Sequence, residues 1–138
     1  MDARAPYVTG ADTPDCSAVE QGMEVTGNVR CPCCGRLHRT ALYRRHMAAL
    51  GRLADICGFG LVIISGYRCP DYNRSVGGTF DSWHILFATD VVPDTAGNGR
   101  LERIYRLGSE AGFSGTGLNG DGDYVHLDLR FPPRSWRE

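Results

Sequence analysis

The sequence lacks any strong excess of charge and any long hydrophobic run. Its 138 residues carry 15 basic and 16 acidic side chains, which gives a formal net charge of −1. A balance of this kind argues against nucleic-acid binding, which usually shows a basic excess or a basic patch. No apolar run approaches the ~20 residues that a membrane-spanning helix needs.

A secretory signal peptide is also missing from the first residues, MDARAPYVTGADTPD, which contain no apolar segment. We therefore expect export, if it occurs, to use another route. Hydrophobic residues make up 42% of the sequence, enough for a packed core. The usual size of domains predicts a single domain. We place it at residues 31–138, after an extended N-terminal arm at residues 1–30.

Two helices are predicted from apolar residues that recur every three or four positions. The first begins at a cap on Thr40 and ends at about Cys57, before Gly58. His46 lies in its apolar stripe and is expected to be packed rather than a ligand. The second helix covers residues 99–111 and follows a cap at Asn98.

Strands are predicted where apolar and β-branched residues run together or alternate, at residues 60–65, 83–92 and 124–131, with a short strand near residues 23–25. A helical turn is expected at residues 70–76. We interpret residues 112–122 as a turn-rich connector and the tail from residue 132 as irregular. This order of elements predicts an α+β domain with a small, mainly antiparallel sheet flanked by helices.

The six cysteines include a cluster, Cys31, Cys33 and Cys34, in the motif CPCCG. Cys69 and His38 are candidates to complete a four-ligand metal site with it. The cluster can equally form one side of a disulfide, and the sequence does not choose between a second, structural metal site and a disulfide. In either case we expect the cluster to be structural and to meet Cys69 in space.

A second group of metal-ligand types consists of His84, Asp90 and His126, which lie on two predicted strands. A catalytic zinc site needs three protein ligands and one open position, and two histidines with a carboxylate meet that need. The alternative interpretation is that three polar residues face solvent from two strands.

The motifs around these residues resemble those of the zinc D-alanyl-D-alanine carboxypeptidases and L-alanyl-D-glutamate peptidases. These bacterial and phage cell-wall enzymes share a fold with the hedgehog signalling domain. The resemblance covers roughly residues 31–130, and its parts are SGYRCPDYNRSVGG, S-x-H, A-x-D and the final VHLDLR. Ser82 and His84 match the start of the family pattern S-x-H-x-x-G-x-A-x-D, Asp90 matches its end, and His126 matches the late histidine.

The resemblance implies a zinc peptidase of the hedgehog/DD-peptidase fold that cuts peptidoglycan stem peptides, with zinc held by His84, Asp90 and His126. Asp123 is the candidate general base. Asp128 is the rival base, or else a residue that orients a ligand. Arg68 would bind a substrate carboxylate or stabilise the oxyanion, and Ser82 would hydrogen-bond substrate or a neighbouring backbone group.

One departure from the family pattern supports a different interpretation. Asp90 follows His84 by six positions rather than seven, and the usual glycine is absent. The alternative is therefore a non-catalytic structural or wall-binding module, for example in a phage particle. For the enzyme we expect action at the cell wall or in the periplasm, with phage delivery or attachment to the virion as one route.

Overall fold

A computed structural model describes residues 23–79, 81–119 and 123–138 of the chain. Most of the predicted N-terminal arm, together with Cys16, lies outside the described residues. None of the helices in the described part is long and apolar enough to cross a membrane.

Three α-helices and one 3-10 helix form the helical part of the structure. They are α1 (Ala41–Cys57), α2 (Pro70–Ser75), the 3-10 helix (Trp83–Ile85) and α3 (Arg100–Ala111). The predicted caps of α1 are confirmed: the Thr40 side chain accepts a hydrogen bond from the Tyr43 N–H, and Gly58 adopts the left-handed conformation at φ 84°. α3 ends as predicted, at left-handed Gly112, but its N-cap is Gly99 rather than Asn98.

Six strands form one sheet: β1 (Val25–Gly27), β2 (Leu61–Ser65), β3 (Thr89–Pro93), β4 (Gly115–Leu118), β5 (Val125–Asp128) and β6 (Arg134–Arg137). Their order in the sheet is β1-β2-β3-β5-β4-β6. The predicted α+β class is confirmed, but the prediction of a mainly antiparallel sheet is wrong. β1 pairs parallel with β2, and β4 pairs parallel with β6, so the sheet is mixed.

The parallel pairs have a topological cause. Parallel neighbours need a crossover connection, and α1 supplies it between β1 and β2. Between β4 and β6, the crossover connection consists of β5 and the segment that follows β5. The connector predicted at residues 112–122 and the irregular tail were therefore wrong, because they contain β4 and β6.

The hydrophobic core fills the space between the sheet and the two long helices, which pack against each other. Val91, Val125 and Leu127 point into this core. The packed position predicted for His46 is confirmed: it is fully buried, its Nε2 lies 2.8 Å from the Thr89 hydroxyl, and burial lowers its pKa to about 3. His46 is therefore a neutral core residue.

Gly66, directly after β2, is a point of close approach between the backbone there and the backbone at Val29. A Cβ atom at Gly66 would lie 2.6 Å from the Val29 Cα and 2.7 Å from its carbonyl oxygen. The next residue, Tyr67, donates its N–H to that same carbonyl at 2.9 Å. Only glycine allows the two backbones to come this close.

Gly66→Ala should therefore destabilise the fold by about 1–3 kcal/mol, the usual cost of overpacking. Urea denaturation followed by circular dichroism measures the change. Ser65→Ala at the neighbouring position adds no atoms and serves as the control. Equal stability of the two variants would show that the segments around Val29 and Gly66 are not packed as described.

Candidate metal centre

Asp90 and His126 occupy facing positions on two antiparallel strands. They are paired residues in the register between β3 and β5. Their neighbours Val91 and Val125 point into the core, and successive side chains of a strand point to opposite faces. Asp90 and His126 therefore lie together on the face of the sheet that turns away from the core.

His84 approaches this pair from the 3-10 helix and not from a strand. The predicted strand at residues 83–92 was wrong in its first half, because β3 begins only at Thr89. The Ser82 side chain caps the 3-10 helix by accepting the His84 N–H at 3.2 Å. The Arg68 N–H donates to the His84 carbonyl at 2.9 Å. These two bonds fix the backbone that carries the ring.

The His84 ring is oriented by a backbone carbonyl. Its Nδ1 donates to the Gly66 oxygen at 2.7 Å, because a carbonyl oxygen can only accept. Nε2 is then the nitrogen with a free lone pair, and it lies 3.3 Å from Asp90 Oδ2. His84 is only 3% exposed. This arrangement presents one basic nitrogen to the centre of the site.

The three side chains meet at spacings that suit one metal ion. One ligand atom from each of His84, Asp90 and His126 lies within 4.8 Å of the others. His126 Nδ1 is 3.0 Å from Asp90 Oδ1. Ligands on a tetrahedral zinc ion, with bonds of about 2.0–2.1 Å, are separated by about 3.3 Å. The residues therefore fit a zinc ion.

The second nitrogen of His126 is held by a buried carboxylate. Nε2 lies 2.7 Å from Asp128 Oδ2, and Asp128 is completely buried. Arg130 in turn binds both oxygens of Asp128, through Nη2 at 2.5 Å and through Nε at 2.9 and 3.0 Å. A histidine ligand commonly donates its outer N–H to a carboxylate, which fixes the ring. Asp128 therefore occupies an orienting position.

The charges in the site reinforce one another. Burial alone would raise the pKa of Asp90, but its contacts with the His126 and His84 rings lower it below its ordinary value. Burial alone would lower the pKa of His126, but hydrogen bonds to Asp128 and Asp90 raise it above its ordinary value. When both of its nitrogens carry a proton, the His126 ring can donate to both carboxylates. A metal ion would have to displace one of those protons.

A cleft of about 200 Å³ opens over these residues. Arg68 and Ser82 line it beside the three candidate ligands. Arg68 Nη2 lies 3.7 Å from Asp90 Oδ2, and Nη1 donates to the Asn73 side-chain oxygen at 3.2 Å. The Arg68 Nε is buried and has no hydrogen-bond partner in the described part of the chain.

The sequence did not predict five of the residues that line the cleft: Gly117, Asn119, Tyr124, Trp136 and Glu138. Trp136 reaches the site because β6 pairs with β4, where it faces Gly117, and its ring packs 5.4 Å from that of His126. Nothing in the tail sequence alternates in a way that predicts a strand. The one sequence signal for Trp136 was that an aromatic residue follows the motif of the late histidine, His126.

Asp123, the predicted base, lies in the bend before β5 and is exposed. It is not among the described residues that line the cleft. The preceding residues, including Gly120 and Gly122, lie outside the described residues. Its role as the base stays a prediction.

The cysteine motif lies apart from the cleft. Cys31, Cys34 and Cys69 form a second group whose sulfurs are within 4.8 Å of one another, so the expected meeting with Cys69 is observed. Cys33 is exposed beside them, and His38 packs instead against the Tyr67 ring at 5.2 Å. Cys57, at the end of α1, is buried in the core.

Two histidines and a carboxylate at the base of a cleft, with one histidine held by a second carboxylate, have the ligand types that a catalytic metal site uses. The family comparison agrees with that kind of site. A model of the Peptidase M15 family matches residues 14–128, and the chain belongs to this family of metallopeptidases. Searches of curated proteins and of solved structures find no match.

The contact between Asp128 and His126 predicts a measurable pKa change. In metal-free protein, Asp128→Asn should lower the pKa of His126, because the opposite charge beside the ring is lost. Titration of the His126 ring by NMR measures it. Asp71→Asn is the control, since the exposed Asp71 carboxylate pairs with Arg74, and it should leave that pKa unchanged. An unshifted pKa in Asp128→Asn would contradict the contact.

The raised pKa of His126 determines how the stability of the metal-free protein changes with pH. Because the folded pKa of His126 is raised, its protonated form stabilises the metal-free protein below the ordinary value of about 6.5. That contribution is lost as the pH rises through the raised value.

Proposed function

We propose that this protein is a zinc metallopeptidase that hydrolyses peptide bonds in peptidoglycan stem peptides, as a carboxypeptidase or an endopeptidase. Its fold would be of the hedgehog/DD-peptidase type. One observation carries the proposal: in a Peptidase M15 chain, His84, Asp90 and His126 bring three ligand atoms within 4.8 Å of one another beneath a cleft.

Zinc would be held by His84 Nε2, the Asp90 carboxylate and His126 Nδ1. Three protein ligands leave one position of a tetrahedral ion open. The bound ion would supply a Lewis acid for the scissile carbonyl. The Gly66 carbonyl and the Asp128 carboxylate would hold the two histidine rings in place, so that their basic nitrogens face Asp90.

Arg68 is the residue best placed to bind the carboxylate of a peptide substrate. It lines the cleft, and its Nε is buried without a partner among the described residues. A buried donor without a partner costs free energy that a bound ligand can recover. The planar guanidinium also suits a carboxylate or a developing oxyanion. Stem peptides offer free carboxylates of this kind.

The general base remains a choice between carboxylates. Asp128 has both oxygens engaged by His126 and Arg130 and no exposure to the cleft, which supports an orienting role. Asp123 precedes β5 on the exposed side and remains our candidate. Glu138, which the structure adds to the lining of the cleft, is a third carboxylate for the same test.

We further propose a bacterial or phage enzyme that acts at the cell wall or in the periplasm, delivered by a phage or carried on its particle. The second candidate function is a non-catalytic module of the same fold that has a structural or wall-binding role. The observation that favours it is the six-residue spacing from His84 to Asp90, one shorter than the family pattern.

Zinc content tests the metal site. Wild-type protein should contain one more zinc ion per chain than His126→Ala, because the variant lacks one of three ligands. Elemental analysis after dialysis measures the difference, and circular dichroism checks the fold. Asp71→Asn, at an exposed carboxylate paired with Arg74, should keep the wild-type content. Equal zinc in wild type and His126→Ala would refute the site.

Hydrolysis of purified peptidoglycan fragments tests the base. Asp123→Asn should keep zinc and fold but slow hydrolysis by roughly 10²–10⁴, the usual effect of losing a general base. Glu138→Gln is the matched comparison at the other edge of the cleft and should be near wild type.

Two other outcomes would change the assignment. Full activity in Asp123→Asn with a large loss in Asp128→Asn or Glu138→Gln would move the role of base to that residue. Zinc-loaded wild type that cleaves no wall peptide would reject the peptidase and favour the non-catalytic module.

A further inference from the structure

The cysteine cluster is a second group of metal-ligand atoms, separate from the cleft. We propose that Cys31, Cys34 and Cys69 bind a structural zinc ion, with Cys33 placed to supply the fourth sulfur. Thiolate sulfur is the preferred ligand of structural zinc, and such sites are closed by four protein ligands. Nothing in the proposed peptidase chemistry requires this second ion.

The sulfurs are already gathered. Those of Cys31, Cys34 and Cys69 lie within 4.8 Å of one another. The Cys34 thiol contacts both Cys31 and Cys69, and the Cys33 thiol contacts Cys69. Four sulfurs bound to one zinc ion at about 2.3 Å are separated by about 3.8 Å. The three sulfurs of Cys31, Cys34 and Cys69 therefore need only a small contraction to close around an ion.

The backbone around Cys31 is folded to receive a thiolate. The Gly35 N–H donates to the Cys31 carbonyl at 2.8 Å, and Gly35 itself is left-handed at φ 72°, so the chain makes a tight turn. The N–H groups of Cys33, Cys34 and Cys69 all donate to the Cys31 sulfur. Hydrogen bonds of this kind stabilise the negative charge that a zinc-bound sulfur carries.

The other end of the cluster is held in a similar way. The Cys69 sulfur accepts the Tyr72 N–H at 3.4 Å, while the Cys69 N–H reaches the Cys31 sulfur at 3.4 Å. Two segments that are 38 positions apart in sequence are thereby joined through sulfur. A disulfide would use two of the sulfurs and leave the others without a role, whereas a zinc ion uses them all.

The position of the cluster indicates a structural role for the ion. Cys69 directly follows Arg68, whose N–H holds the His84 carbonyl at 2.9 Å. Cys31 lies two positions after Val29, whose carbonyl accepts the Tyr67 N–H. An ion at the cluster would therefore fix the loop that carries Arg68 and supports His84, without itself touching the cleft.

The experiment uses the full chain, purified under reducing conditions and loaded with cobalt(II) in place of zinc. Thiolate-bound cobalt gives an intense near-ultraviolet charge-transfer band that histidine and carboxylate ligands do not give. Wild type and His126→Ala should both show the band, and Cys34→Ser should lose it. Cys33→Ser should weaken it. Cys57→Ser is the matched control, because Cys57 is a buried free cysteine outside the cluster, and it should keep the band.

Zinc content and thermal unfolding complete the test. Cys34→Ser should contain one zinc ion fewer than wild type and unfold at a lower temperature, while the ion assigned to His126 remains. A band absent from wild type, or unchanged in Cys34→Ser, would overturn the proposal. So would a disulfide between two cluster cysteines in protein purified without reductant. Since the band does not depend on His126, its loss is distinguishable from failure of the peptidase site.

Discussion

The register between β3 and β5 is the constraint on which both the core and the candidate site depend. It pairs Thr89 with Leu127 and Val91 with Val125 on the core face, and Asp90 with His126 on the opposite face. A slip of one residue would exchange the two faces. It would place a carboxylate and a histidine among aliphatic side chains and remove two metal-ligand atoms from the cleft. The cost of exposing Val91, Val125 and Leu127 therefore also enforces the geometry of the site.

Buried charge is the second condition that the site must meet. Asp90 and Asp128 are 4% and 0% exposed, and a carboxylate so far from water is costly unless it is paired and hydrogen-bonded. Arg130 pairs with Asp128, and both carboxylates share His126. This chain of contacts can hold either a proton or a metal ion at its centre. The competition between them makes metal affinity dependent on pH.

Local signals in the sequence predicted the parts of the fold that local physics determines. Thr40 and Gly58 mark the ends of α1 because a capping oxygen and a left-handed residue satisfy its terminal backbone groups. β5 follows from the alternation of Val125, His126, Leu127 and Asp128. β4, with the sequence GTGL, and β6, with RSWR, show no such alternation. Their pairing is decided by contacts between distant segments, which is why Trp136 and Glu138 were missed at the cleft.

The motif spacing identified His84, Asp90 and His126, but it could not show how a segment one residue shorter than the family pattern still brings them together. Alternation of faces constrains spacing only within a strand. His84 sits on a 3-10 helix, and the chain passes through Leu86 in a helical conformation before β3 begins at Thr89. The missing residue therefore falls in a turn, where a change of length alters the path of the chain without reversing the face of Asp90. The ring of His84 is then set by its own contacts, through Ser82, Arg68 and the Gly66 carbonyl. Those contacts, rather than the count of residues to Asp90, determine where its Nε2 points.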